Sequence, residues 1–545
     1  MKPILTSGLL SVAAFLLAAS SVNHGLVDSP LPVGPGLTLD ESFNIQQGIY
    51  VFDAFCHHGP LLFSPAVGKQ VFGSKKYFPD HPPLARCILG ASHQMLGWLL
   101  PGAELSALNV PAARLGSCFV FAMTVLLLTE FARRHYDQRT ALVAAIFLML
   151  MPRVLGHARI AAQETGTTLA WLAAIAPLLS WWTSDKPPTT RQCLISGLLW
   201  GILLLTKVQG LLLPPLVLVW ALWHYREQAI RPLAIWGSVG TIIFLIGWPW
   251  LWIDPLHNVI AYLGKTTDRP QVYVWYFGER YVDKLVPWHY PFVFLAITVP
   301  LYVLLGLALR LVKRMFDQVE LLLAATAAWP LIVFALPGTP VYDGTRLFLV
   351  IMPAVALLAA RGVVLALRSE TGWAARRSAR ISVATVAVLM TLCAIPQAVG
   401  PRGLCEYNAV VAGPAGAAAL GLEADYWASS LNGDFWKSVP ENSTVLVAPV
   451  VHQFQLGDIQ QLVPIVRQRN ITLVPYQYNP EKQRGLTLLI HRLADLPPHL
   501  REVPDGATVV ATAEYRGVTL ARLIDTTNGT WERQPNWPGD KLPAE

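Results

Sequence analysis

Charged residues are scarce in this chain. They make up 14% of its 545 residues, where soluble proteins carry about a quarter. With 54% hydrophobic residues and a mean hydropathy of +0.44, the composition excludes a wholly soluble protein. It predicts a multi-span membrane protein with at most one soluble domain besides. Cysteine is also thin: six residues and no C-x-x-C pair, which leaves zinc and thioredoxin-like chemistry without support. Cys56 and Cys87 are candidates for a disulfide if they share an oxidising compartment. The net charge of +7 is small for this length and sits largely in clusters beside apolar runs, such as ARRHYDQR and WAARRSAR. That pattern is topology charge, and no nucleic-acid partner is expected. A dinucleotide fingerprint is lacking as well, because GPAGAAALG at 413–421 has no βαβ unit around it. The two halves show no internal repeat.

What the chain has is apolar runs of about 20 residues. They lie near 4–22, 110–131, 140–157, 167–183, 193–208, 210–223, 233–252, 290–309, 318–337, 346–364 and 381–399. A further run, LARCILGASHQMLGWLL at 84–100, is shorter and carries Arg86 and His93. Treating it as a juxtamembrane helix puts every short basic loop on one face, as the positive-inside rule requires. About eleven spans follow, with the N-terminus inside and the C-terminus outside. The start MKPILTSGLLSVAAFLLAASS also resembles a signal peptide. The outer loop 23–108 is too long for a bare connector, and ESFNIQQGIYVFDAF has helical apolar spacing at Phe43, Ile45, Tyr50 and Phe52.

This topology sorts the polar residues. The outer face receives LTLDESFNIQQGIY, PRVLGHARIAAQETG, LTKVQG and LPGTPVYDGTR. Arg153, Arg159, Lys207 and Arg346 lie there near the ends of apolar helices, where charge is costly and often functional; each alone also fits a snorkelling helix-end residue. Asp40, Glu41, Glu164 and Asp343 share the face. Cations at headgroup depth opposite carboxylates suit lipid-phosphate chemistry. Lys and Arg stabilise the charge that grows on a departing phosphate, while a carboxylate takes the proton of an incoming hydroxyl.

The order of LDE after the first span, DHPPLARCILG, GHARIAAQE, GLLWGILLLTKVQGLLL and VYDGTRLFL resembles the GT-C superfamily. The chain is similar to bacterial relatives of the protein O-mannosyltransferases and aminoarabinose transferases over roughly residues 1–400. The resemblance implies a membrane glycosyltransferase of the cell envelope that uses a polyprenyl-phosphate sugar donor on the outer leaflet and inverts the anomeric centre. It implies catalytic roles for the acidic pair Asp40 and Glu41, and phosphate contacts for Lys207 and Arg346, with Arg153 and Arg159 as further candidates. His81, in the His-Pro-Pro match, Glu164, Tyr342 and Asp343 are expected to line the site. Relatives generally carry Asp at the place of Glu164, and the Trp-Trp-Asp motif of relatives with oligosaccharyltransferase signatures is missing. The acidic pair is also a candidate Mg²⁺ or Mn²⁺ site. Membrane lipid is the other expected partner, and the sugar and acceptor are not legible. Within a bacterium the expected location is the inner membrane.

Beyond about residue 400 the composition turns to Gly, Pro, Asn and charge. STVLVAPVV, ITLVPYQY, LTLLIHRL and ATVVATAEYRGVTLARLID read as short strands or strand–helix pieces. A small α/β or α+β extracytoplasmic domain over 401–545 is therefore expected behind the helical membrane domain of 1–400. Aromatics in VWYFGERY and PWHYP are placed to stack on sugar rings or to form an interface belt. Two other functions fit parts of the pattern. A flippase of lipid-linked sugars predicts interrupted helices and repeats; a membrane-anchored sensor leaves the outer charges without a joint role. Convergence of Asp40, Glu164, Lys207 and Arg346 on one cavity favours the transferase, and dispersal favours the others.

Overall fold

The computed structural model describes residues 3–23, 33–97, 108–264, 271–312, 316–368, 403–450, 454–476, 484–529 and 531, with isolated helical positions between 377 and 392. The chain is mostly helical, and several helices are strongly apolar. Among the described residues, Val110–His135, Val208–Gly247 and Arg346–Arg368 are long and apolar enough to cross a membrane. Two bent pairs raise that number to five if each is one span: Gln138–Met149 with Pro152–Ala158 (69°), and Tyr290–Thr298 with Leu301–Val312 (113°). The sequence expectation was about eleven. Helices do overlie the apolar runs, but prolines interrupt them: Pro152 and Pro300 stand at the two bends, where the missing N–H and the ring break a helix. The end of the last expected span, residues 393–399, lies outside the described residues.

Local signals set the helix starts. Thr189 and Gln192 form a capping box before Thr190–Leu204, as do Asp317 and Glu320 before Gln318–Phe334. Asp137 accepts from the Arg139 and Thr140 amides at the start of Gln138–Met149. Charges from several expected inner loops gather together. Glu320 holds Arg310 and, at 3.0 Å, Arg361; Asp137 holds Arg368 at 3.2 Å.

The run at 84–100 forms helix Leu84–Leu96 and packs on helix Glu41–His58 from the first outer loop. Glycines allow the approach: a Cβ on Gly48 would lie 2.1 Å from the Arg86 carbonyl oxygen. Cys56 and Cys87 are free thiols, not a disulfide. Cys56 is exposed, whereas Cys87 packs against the apolar cluster of Val51 and Tyr77.

The C-terminal part forms a mixed five-stranded sheet. Strands β3 (Thr444–Ala448), β4 (Thr472–Pro475), β5 (Leu486–Ile490), β6 (Thr508–Tyr515) and β7 (Val518–Asp525) lie in the order β4-β3-β5-β7-β6. β3 is parallel to β4 and β5, and β7 is antiparallel to β5 and β6. A separate hairpin, β1 (Tyr273–Tyr276) and β2 (Glu279–Val282), turns through Phe277 and Gly278, both at positive φ, as a tight two-residue hairpin loop demands. One apolar cluster runs from Leu37, Ile45 and Leu89 to Trp436, Val447 and Leu523. It fastens the sheet onto the first-loop helices. Ser42 bonds Asp458 at 2.5 Å, and Gln455 Nε2 donates to the Leu39 carbonyl at 2.8 Å.

Candidate active site

Helix Glu41–His58 begins next to Asp40. Asp40 holds the N-cap position, yet its side chain makes no capping bond. It reaches instead to Arg346, with Oδ2 2.9 Å from Nη2. Arg346 is the hub of the site. Its Nε donates to Glu164 Oε1 at 2.8 Å and its Nη1 to Asp343 Oδ2 at 2.9 Å. A guanidinium with five fixed donors can hold several carboxylates in this way, where an ammonium would act only as a point charge. Glu164 stands in the first turn of helix Gln163–Trp181, where the helix dipole favours an acid. Asp343 sits in a turn with φ +55°, followed by Gly344 at +63°. Trp427 covers the hub: its ring lies 4.4 Å from the guanidinium carbon, and its Nε1–H donates to Asp343 at 3.2 Å.

Lys207 belongs to this network from behind. Its Nζ is 2.6 Å from Glu164 Oε1, and the residue is 4% exposed. It is absent from the lining of the adjoining cavity. Lys207 therefore acts on the cavity through Glu164 and Arg346. Lys207→Ala is expected to lower turnover by less than the ~10²–10³ of losing a direct charge-stabilising donor, with a visible drop in thermal stability as Glu164 loses a partner. Turnover and melting of the purified variant check both.

The cavity holds about 540 Å³. Asp40, His81, Tyr342, Asp343 and Arg346 all line it. The His81 segment is pinned to the Lys207 loop, because the Leu84 amide donates to the Leu205 carbonyl at 3.0 Å. Burial pushes the His81 imidazole down to about 3 against the pull of Asp80. It is neutral throughout the range in which histidines ordinarily titrate. A pH–rate profile from 5 to 8 is accordingly expected to keep its shape in His81→Gln. An inflection lost in that variant would contradict the neutral imidazole.

The acidic pair divides. Glu41 is fully buried and pairs with Arg114, Oε1 to Nε at 2.7 Å and Oε2 to Nη2 at 2.6 Å. The Ala161 and Thr38 amides also donate to it, at 2.7 and 2.9 Å. Burial opposes its charge, but Arg114 together with the Ala161 and Thr38 amides outweighs this and holds the carboxyl below its usual range. Of the two acids, Asp40 lines this cavity and Glu41 does not. The expected metal site does not fit either. The Glu41 oxygens are consumed by donors, and among the described residues no three His, Cys, Asp or Glu side chains are placed to hold a metal ion. Arg153 and Arg159 also leave the cluster. Arg153 donates to the Glu406 carbonyl at 3.1 Å and stacks on Tyr407 at 4.9 Å. Arg159 donates to the Leu17 carbonyl at 3.3 Å, at the end of the first helix. Both brace neighbouring segments because their side chains turn toward open carbonyls.

Several cavity residues carry no sequence signal. Arg492 and Gln455 come from the C-terminal part of the chain. Arg492 approaches Asp343 to 3.7 Å and donates to the Tyr426 carbonyl. Asp80 and Arg86 pair at 2.5 and 2.7 Å inside the DHPPLAR stretch; their six-residue spacing beside His81 was the one available hint.

Residues 80–253 match the family model of dolichyl-phosphate-mannose-protein mannosyltransferases. The matched stretch includes His81, Glu164 and Lys207. The chain resembles the GT-C membrane glycosyltransferases. An undecaprenyl phosphate-alpha-4-amino-4-deoxy-L-arabinose arabinosyl transferase of Erwinia tasmaniensis is 24% identical over 325 residues, 56% of this chain and 55% of that protein. The chain thus spans about half the length of the curated relative it matches. Among solved structures, ArnT from Cupriavidus metallidurans bound to undecaprenyl phosphate has 13% identity and a TM-score of 0.47, covering 95% of this chain and 97% of that one. The oligosaccharyltransferase AglB from Archaeoglobus fulgidus, in complex with an inhibitory peptide and a dolichol-phosphate, has 12% identity and a TM-score of 0.47. It covers 90% of this chain and 69% of that one.

Proposed function

We propose that this GT-C-like chain transfers a sugar from a polyprenyl-phosphate donor to an acceptor hydroxyl at the outer face of a membrane, with inversion. The observation that carries the reading is the convergence of Asp40, Asp343 and Arg346 on one cavity, with Glu164, which was expected to line it, buried behind Arg346 together with Lys207. The similarity to polyprenyl-phosphate-dependent transferases supports it. The eleven-span topology, with the C-terminal domain outside, belongs to the same proposal.

Arg346 offers the donor phosphate a preorganised cation at the cavity wall. Asp40 is its most exposed carboxylate partner, with a side chain 41% accessible. A phosphate oxygen displaces Asp40 most readily, since Glu164 and Asp343 are buried. The freed Asp40 then faces the acceptor. As the bond from the anomeric carbon to the phosphate oxygen breaks, its electron pair moves to the phosphate and Arg346 meets the growing charge. The acceptor oxygen attacks from the opposite side and its proton passes to Asp40. Asp40 later releases the proton through its solvent-facing edge.

Mass spectrometry tests this directly. Purified protein in lipid is incubated with undecaprenyl-phosphate sugars and cell-envelope extract. The expected result is an acceptor heavier by one glycosyl residue together with free undecaprenyl phosphate. Intact donor and no glycosylated product would overturn the reading.

A further inference from the structure

The cavity wall contains a run of side-chain amides whose orientation is dictated by one arginine. Arg86 can only donate. Its Nε donates to Asn44 Oδ1 at 2.9 Å, while its terminal nitrogens hold Asp80. Asn44 must therefore turn its oxygen toward Arg86. The same oxygen accepts from Gln163 Nε2 at 3.0 Å. Rotating the Gln163 amide by half a turn would set two carbonyl oxygens against each other, so its Nε2 must point to Asn44. Its Oε1 is consequently left without a partner, on a side chain that is 4% exposed and lines the cavity. A buried acceptor without a donor is costly and uncommon in native proteins.

Two further features place this acceptor. Gln163 precedes Glu164, whose Oε1 receives both Lys207 and Arg346. The orphaned oxygen is thus one residue from the cluster assigned to the donor phosphate. On the same wall, the Phe43 and Phe78 rings meet edge to face at 5.5 Å, and Phe78 is 52% exposed. An apolar ring surface beside a fixed acceptor suits a sugar, which has both C–H faces and O–H or N–H donors.

We infer that Gln163 Oε1 accepts a hydrogen bond from a hydroxyl or amino group of the transferred sugar, with Phe43 and Phe78 against its apolar face. This rests on the transferase reading above. The last torsion of a glutamine is soft, so a small rotation carries the oxygen onto the ligand. A sugar lacking that donor leaves the acceptor buried and unpaired, which is how a polar site rejects an analogue. Gln163 is thereby a specificity-determining residue.

The test compares deoxy analogues. The donors are undecaprenyl-phosphate mannose and undecaprenyl-phosphate 4-amino-4-deoxy-L-arabinose, each with its monodeoxy or deamino derivatives. kcat/KM is measured for the wild type and Gln163→Met. The wild type is expected to lose about tenfold or more at one ring position. That penalty should fall below about twofold in Gln163→Met, which has no such acceptor. A merely structural role would lower all donors together and leave the positional penalty in place. Gln163→Ala is read the same way if the Met variant does not fold. An unchanged positional penalty in the folded Met or Ala variant, or a wild type indifferent to every deletion, overturns this inference alone. A wild type that consumes no polyprenyl-phosphate sugar overturns the transferase reading, and this one with it.

Discussion

Asp40→Asn is expected to lower turnover by roughly 10²–10⁴, the range for losing a general base, while the donor still binds and the protein still folds. The substitution separates chemistry from structure unusually well at this position. Asp40 stands at the N-cap of helix Glu41–His58, and Asn caps helices as well as Asp does. Its side chain makes no capping bond in any case. Arg346 keeps Glu164 and Asp343 as partners, so its position survives. The Asp40–Arg346 contact is open to solvent on its Asp40 side, where screening keeps its contribution to stability modest. Turnover per folded molecule, donor binding and thermal melting are the measurements. A melting point shifted by several degrees with near-normal turnover would return Asp40 to a structural role.

Breaking the neighbouring pair is expected to act in the opposite way. Arg114→Met or Glu41→Ala should cost about 3–5 kcal/mol of stability, the penalty for stranding one charge of a buried pair. The pair is inaccessible to solvent and holds more than itself. Arg114 donates to the carbonyls of Val22, Pro35 and Gly36 at 3.1, 2.8 and 2.7 Å. Glu41 gathers the Thr38 and Ala161 amides. Together they tie the entry to helix Glu41–His58 onto helix Val110–His135 and the Ala161 turn. Replacing both residues with apolar side chains should cost less than the sum of the single changes, because no charge is then left alone. The pH dependence has a definite sign. Glu41 is held below its usual carboxyl value in the folded protein, so its contribution is present above the unfolded value and is lost as the pH falls through the folded one. Denaturant unfolding in detergent would decide the matter; single variants within about 1 kcal/mol of wild type would remove the pair from this role. Lost activity in Glu41→Ala would then report unfolding rather than missing chemistry.

Asp40 and Glu41 are adjacent in sequence and opposite in fate. Successive helical residues point about 100° apart around the axis, so one carboxylate faces the cavity and the other faces the packed interior. A sequence read along its length sees only a pair of acids. The cations behave similarly. Arg153, Arg159, Lys207 and Arg346 share one expected face, and all are nearly or largely buried. Which of them meet depends on the nearest acceptor to each guanidinium or ammonium. Arg346 finds three carboxylates, Lys207 finds one, and Arg153 and Arg159 find backbone carbonyls.

The sequence by itself determined the helical class, the places of the apolar runs, the strands of the C-terminal part and the small set of charges from which the site is drawn. These properties are local: hydropathy, capping residues and turn residues act over one or two helical turns. Only the tertiary structure decided that Asp40 meets Arg346 across 306 positions, that Arg114 claims Glu41 across 73, and that Arg492 and Gln455 complete the cavity wall. Burial makes the difference. A charge removed from water must find a partner wherever the packing places one, and that choice is made in space, without regard to separation along the chain.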